Sequence, residues 1–109
     1  MKLYLVTDEE LLLGKDLYRT VEAAVRGGVS IVQLREKESS TRDFIERAIR
    51  LKEVLSPYRV PLIINDRVDV ALAADADGVH VGQSDMPYEM VKRLLPEGKM
   101  IGLSVESPE

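Results

Sequence analysis

The sequence predicts an α/β fold made of parallel βα repeats. Three observations carry that expectation. Short apolar runs rich in Val, Ile and Leu alternate with helical patterns, in the order β-α-β-α-β-α-β-α-β. The repeat is roughly 20–30 residues long, within the range of a βα unit. Each apolar run after the first helical pattern ends in a polar cluster: Gln33-Leu34-Arg35-Glu36-Lys37, Asn65-Asp66-Arg67, His80-Val81-Gly82-Gln83-Ser84-Asp85 and Ser104-Val105-Glu106. Parallel strands all point the same way, so the clusters gather at one end of the sheet, where βα-barrel enzymes place their chemistry.

The first strand is the short run Leu3 to Val6, ending in Thr7-Asp8. Asp16 can cap a helix whose apolar positions Leu17, Val21, Ala24 and Val25 follow i, i+4, i+7, i+8 spacing. Gly27-Gly28 ends it, as glycine beyond a helix usually does. Val29 to Leu34 is a β-branched second strand. Ser40-Thr41-Arg42-Asp43 resembles a capping box with Asp in the Glu position, and the helix after it buries Phe44, Ile45, Ala48, Ile49, Leu51 and Leu55. Pro61 to Ile64 is a third strand, followed by a short helix from Val68 to Ala74. Gly78 to Val81 is the fourth strand. Pro87 suits the first turn of a helix that buries Met90, Val91, Leu94 and Leu95. Met100 to Val105 is the fifth strand, and Ser107-Pro108-Glu109 reads as the start of a further helix. Near-continuous apolar strands with crossover helices predict a sheet covered on both faces.

A chain of 109 residues predicts one domain, residues 1–109, with a core of Val, Ile, Leu and Ala, since Phe44 and four tyrosines are its only aromatics. The 45% apolar and 31% charged fractions are those of a soluble globular protein. With no cysteine, disulfides and thiolate chemistry are excluded, and a cytoplasmic setting fits. A single histidine, His80, excludes a multi-histidine metal site. The net charge of −4 is spread over interspersed signs, with no basic block to suggest nucleic acid. Met1-Lys2 leads straight into a strand, so no signal peptide is expected, and no apolar stretch approaches the ~20 residues that span a bilayer.

Each polar cluster has a functional and a plain reading. Gln33, Arg35 and Lys37 lie two residues apart, and on extended chain they point to one side. Arg offers a planar fork to phosphate oxygens and Lys a mobile point charge, although Arg-Glu-Lys is also an ordinary solvated strand end. Gln33 is harder to dismiss, because a polar side chain in an apolar strand needs a partner. Asp66 could cap the next helix, and so could Asp85, two residues before Pro87. They also end successive strands, neighbours about 5 Å apart if paired in order. Carboxylates that close repel unless a cation sits between them, and Mg²⁺ commonly takes one or two carboxylates plus substrate phosphates and waters. His80 points opposite to Val79 and Val81, as a hydrogen-bonded core histidine or as a general acid or ligand contact. Gly82 and Gly102 permit close backbone approach, and Ser104 is a small donor at a strand end.

Together these residues resemble the thiamine phosphate synthase family. The likeness runs through Tyr4-Leu5-Val6-Thr7-Asp8, Gly27-Gly28-Val29 to Gln33-Leu34-Arg35-Glu36-Lys37, Pro61-Leu62-Ile63-Ile64-Asn65-Asp66-Arg67-Val68-Asp69, Gly78-Val79-His80 to Gln83-Ser84-Asp85, and Ile101-Gly102-Leu103-Ser104. It spans essentially the whole chain but about the first half of the family's TIM (β/α)8 barrel, so it implies a half-barrel ending after the fifth strand. The family, a Mg²⁺-dependent transferase of thiamine biosynthesis, joins hydroxymethylpyrimidine diphosphate to a thiazole phosphate and releases pyrophosphate. The resemblance implies that Gln33, Arg35 and Lys37 hold the pyrophosphate and pyrimidine, and that Asn65 meets the pyrimidine end. It implies Asp66 and Asp85 as Mg²⁺ ligands, and His80 and Ser104 as the catalytic residues lining the pyrimidine pocket. The family's thiazole-phosphate site comes from later strands, so self-association or a complementing half-barrel is expected. A related thiazole tautomerase is a second reading, against which Asp66 and Asp85 argue. A non-catalytic half-barrel binding or assembly module is a third.

Overall fold

A computed structural model describes residues 3–7, 16–37, 39–82 and 88–104. Its elements are β1 (Tyr4–Thr7), α1 (Leu17–Arg26), β2 (Ile31–Leu34), α2 (Thr41–Leu55), β3 (Leu62–Asn65), α3 (Val68–Ala73), β4 (Gly78–Gly82), α4 (Tyr88–Leu94) and β5 (Met100–Ser104), with a 3₁₀ turn at Ser56–Tyr58. The five strands form one parallel sheet in the order β1-β2-β3-β4-β5. The expected alternation of strands and helices is therefore observed, with strand limits shifted by one or two residues.

The helix ends follow from their sequence. Asp16 Oδ1 accepts from the backbone N–H of Tyr18 and Arg19 at 2.9 and 3.2 Å, which satisfies two donors of the first turn of α1. Ser40 Oγ accepts from Asp43 N at 3.1 Å and starts α2. Gly28, at φ 116°, turns the chain out of α1 where an L side chain would be strained. Pro87 lies outside the described residues.

One face of the sheet carries the core. Val32, Leu34, Leu62, Ile64, Val79 and Val81 are buried against Val21 and Val25 of α1, Phe44, Ala48, Leu51 and Leu55 of α2, Val70 and Ala71 of α3, and Val91 of α4. The opposite face, against expectation, bears no helix among the described residues. It presents Tyr4, Val6, Gln33, Ile63, Asn65, His80, Met100 and Gly102, in register across the strands. Tyr4, Val6 and Met100 are 50%, 39% and 42% exposed. The reason is topological. Strands laid down in sequential order with connections of one hand put every helix on the same side, as in a barrel wall. Covering both faces needs a reversal of strand order.

Three apolar residues expected in the core are not there. Ile49 of α2 and Met90 and Leu94 of α4 are more than two-fifths exposed. They sit on the shoulders of stripes whose centres, Ala48, Val91 and Leu95, are buried. The N-terminal end of the sheet is tied by polar contacts. Asp77 Oδ2 accepts from Leu62 N at 2.8 Å. Asp75 receives Lys52 Nζ at 3.0 Å and Lys99 Nζ at 2.8 Å.

Candidate active site

The C-terminal ends of the strands bring several of the expected residues together on the face that bears no helix among the described residues. Gln33 is 5% exposed, and both ends of its amide are satisfied. Its Nε2 donates to Tyr4 Oη at 3.1 Å, and its Oε1 accepts from Asn65 Nδ2 at 2.7 Å. A Tyr4–Gln33–Asn65 chain thus crosses β1, β2 and β3 and fixes both amides. Asn65 lies in register with His80, and His80 with Gly102. The half-buried imidazole lies over Gly102. A Cβ built there would come within 2.7 Å of His80 Nδ1, so only glycine leaves the ring this position.

Asp66 follows β3 at φ 64°, in the left-handed region. Its N–H donates to the His80 carbonyl at 2.7 Å, which ties the turn to β4 and leaves the residue exposed. The residue at the N-cap of α3 is Arg67, whose side chain makes no capping bond. Arg67 forks onto Asp69 at 2.8 and 3.0 Å and reaches Thr41 Oγ1 at 2.8 Å. The hydrogen bond between them raises the Arg67 guanidinium above its ordinary pKa and lowers the Asp69 carboxyl.

Arg35 and Lys37 lie beyond the strand ladder. β2 ends at Leu34, so strand alternation does not set Lys37 on the side of Gln33. Arg35 is half-buried and Lys37 is exposed. Between them, Glu36 has a side chain only 5% exposed. Its Oε1 accepts from Arg47 Nη1 of α2 at 2.6 Å and from the Ser39 hydroxyl. Burial works against the charge of Arg47, but the hydrogen bond and attraction to Glu36 outweigh it and raise its pKa. Sequence reading treated Glu36 as a spacer and passed over Tyr4. Tyr4 had a signal, a phenol two strand positions from Val6 on the facing shared with Gln33. Glu36 had none, since its partner lies 11 residues on, in the next helix.

Ser104 ends β5 opposite Gly82, and its side chain is outside the described part. Asp85 also lies outside the described residues. Among those described, no three His, Cys, Asp or Glu residues cluster as a metal cage. The exposed Asp66 carboxylate beside the strand ends is a hard oxygen donor of the kind that Mg²⁺ shares with substrate phosphates, so that one described residue suits the ion.

The family model described as thiamine monophosphate synthase matches residues 3–109. The chain belongs to that family. It is 57% identical over 108 residues to the thiamine-phosphate synthase of Clostridium acetobutylicum, covering 99% of this chain and 51% of that protein. It is 56% identical over 109 residues to that of Albidiferax ferrireducens, covering 100% and 50%. The fold matches the thiamine phosphate pyrophosphorylase from Pyrococcus furiosus at TM-score 0.84 and 40% identity, over 94% of this chain and 48% of that one. The chain therefore spans about half the length of the family members it matches. Among the described residues no helix is long and apolar enough to cross a membrane.

Proposed function

We propose that this chain carries the half of a thiamine phosphate synthase site that takes hydroxymethylpyrimidine diphosphate. The observation that carries the reading is the convergence of Gln33, Asn65 and His80 on one strand face, with Arg35, Lys37 and Asp66 in the turns just beyond. The fixed amides of Gln33 and Asn65 present donors and acceptors to the edge of an aminopyrimidine. His80 and Ser104 line the same pocket as its catalytic residues. Arg35 and Lys37 receive the pyrophosphate, whose departure needs its growing charge neutralised. Asp66, with Asp85, would hold Mg²⁺, which when bound adds to that neutralisation. The aminopyrimidine delocalises the positive charge left on its methylene carbon, and the nitrogen of a thiazole phosphate attacks there. No protein nucleophile is required. A cytoplasmic setting goes with this reading, since both substrates are charged esters that do not cross a bilayer unaided.

The chain spans about half the length of its relatives, and the reading assigns the thiazole phosphate and the closing wall to the other half. The uncovered face, with Tyr4, Val6 and Met100 exposed, supports a second element of the reading: a second copy or a complementing half-barrel covers it. As a single half-barrel domain the chain would then bind, and the assembly would turn over.

Calorimetric titration with hydroxymethylpyrimidine diphosphate, with and without Mg²⁺, tests the half-site. Saturable binding that requires Mg²⁺ is expected. A folded chain that binds nothing under either condition would sink the reading.

A further inference from the structure

We infer that Glu36 is a positioning residue, whose ion pair with the half-exposed Arg47 holds the turn bearing Arg35 and Lys37 in the shape that receives pyrophosphate. The inference rests on the proposed pyrophosphate site and adds to it a device that binds no substrate itself. β2 gives up its ladder at Leu34, the last residue paired with either neighbour. Beyond that point the strand register no longer fixes the backbone, yet the two cations lie at the next residue and the third. Glu36 is the residue between them. Its carboxylate is withdrawn from solvent and held by two donors, Arg47 Nη1 at 2.6 Å and the Ser39 hydroxyl. A buried carboxylate is retained only where its partners are in place, so the contact fixes its geometry.

The anchor point is itself rigid. Arg47 lies on α2 beside Ala48 and one turn after Phe44, both buried in the core. The turn is thereby referenced to the helix layer rather than to the strand. Arg35 and Lys37, one residue to each side of a pinned position, lose the freedom that would otherwise be lost on binding. The pair has a second consequence. The charge of Glu36 lies one residue from each cation, where it would compete with an anion for them. Arg47, on the neighbouring helix, holds that carboxylate and offsets its charge.

The test uses the whole chain and two readouts. Amide hydrogen exchange at residues 35–37 reports the turn, with Ile64 and Val79 as core references. Calorimetry with inorganic pyrophosphate and Mg²⁺ reports the site. In Glu36→Gln, exchange at residues 35–37 is expected to rise about tenfold while the core amides hold. Pyrophosphate affinity should fall about tenfold, and that loss should vanish in an Arg35→Ala/Lys37→Ala background, the coupling expected of a residue that acts through others. Arg47→Met should reproduce both effects. If Glu36→Gln unfolds, Glu36→Asp keeps the charge, shortens the reach to Arg47 and carries the same test. Unchanged exchange and affinity in a folded variant, or an equal loss in both backgrounds, overturns the role of Glu36 alone. A folded wild-type chain that takes up no pyrophosphate overturns the site reading and this role with it.

Discussion

Asp66 occupies a backbone conformation that most residues avoid. At φ 64° an L side chain costs roughly 1 kcal/mol relative to glycine, and Asp and Asn tolerate it best. The observed strain at the end of β3 argues that the carboxylate is kept for what it does there. Stability and function therefore separate in Asp66→Gly. The urea midpoint should hold or rise slightly, equivalent to up to about 1 kcal/mol of unfolding free energy, while Mg²⁺-dependent diphosphate binding is lost. A lower midpoint with binding intact would mean that the carboxylate serves the fold. At this scale the sequence announced Gln33 and Asn65 well. Gln33, a polar side chain in an apolar strand, needs a partner and has two, Tyr4 and Asn65, the latter expected only from the polar cluster that ends β3 and from the family resemblance. It gave no hint of Glu36 and Arg47, because an ion pair between a turn and the next helix has no local pattern.

Elements were legible where a period or a cap fixed them. Asp16 and Ser40 cap α1 and α2 as their positions suggested. The stripes of α2 and α4 were read too wide, because apolar residues at a stripe's shoulder look the same whether or not a neighbouring element covers them. The alternation argument for Lys37 reaches past the end of β2, where no ladder fixes the facing of a side chain. Contacts that join elements were invisible in sequence. Asp75 is one, linking α2, the α3–β4 connection and the start of β5 through Lys52 and Lys99. Hydrogen bonds from Lys99 and then Lys52 hold its carboxyl at about 2, below the ordinary 3.8. A pKa lowered on folding adds stability that is full above the unfolded value and is lost as pH falls toward the folded one. The contribution of Asp75 is thus present above about pH 4 and fades between pH 4 and 2. Asp75→Asn should lower Tm modestly at pH 7 and flatten the fall in Tm across that acid window. The carboxylate is exposed, so high salt should shrink the difference. Parallel Tm profiles for the two proteins would show that these contacts add nothing measurable.

At the scale of the whole molecule, the strand order and the single helix-bearing face decide what the chain can do alone. Sequential parallel strands make a barrel wall, with a packed outer face and an inner face that a closed barrel fills with side chains from all its strands. Here the inner face exposes Tyr4, Val6 and Met100, and among the described residues β1 and β5 each have a strand neighbour on one side only. Unpaired strand edges and an apolar patch both favour association. The chain should therefore sediment as a species larger than the monomer, with mass that rises with concentration. Val6→Lys together with Met100→Lys should shift it to the monomer, because each charge would be buried without a partner at the contact. The far-ultraviolet spectrum and Tm of the monomeric variant should change little, since the core lies on the other side of the sheet. A wild-type chain that sediments as a monomer at every concentration, with strand amides well protected from exchange, would show that water can cover this face.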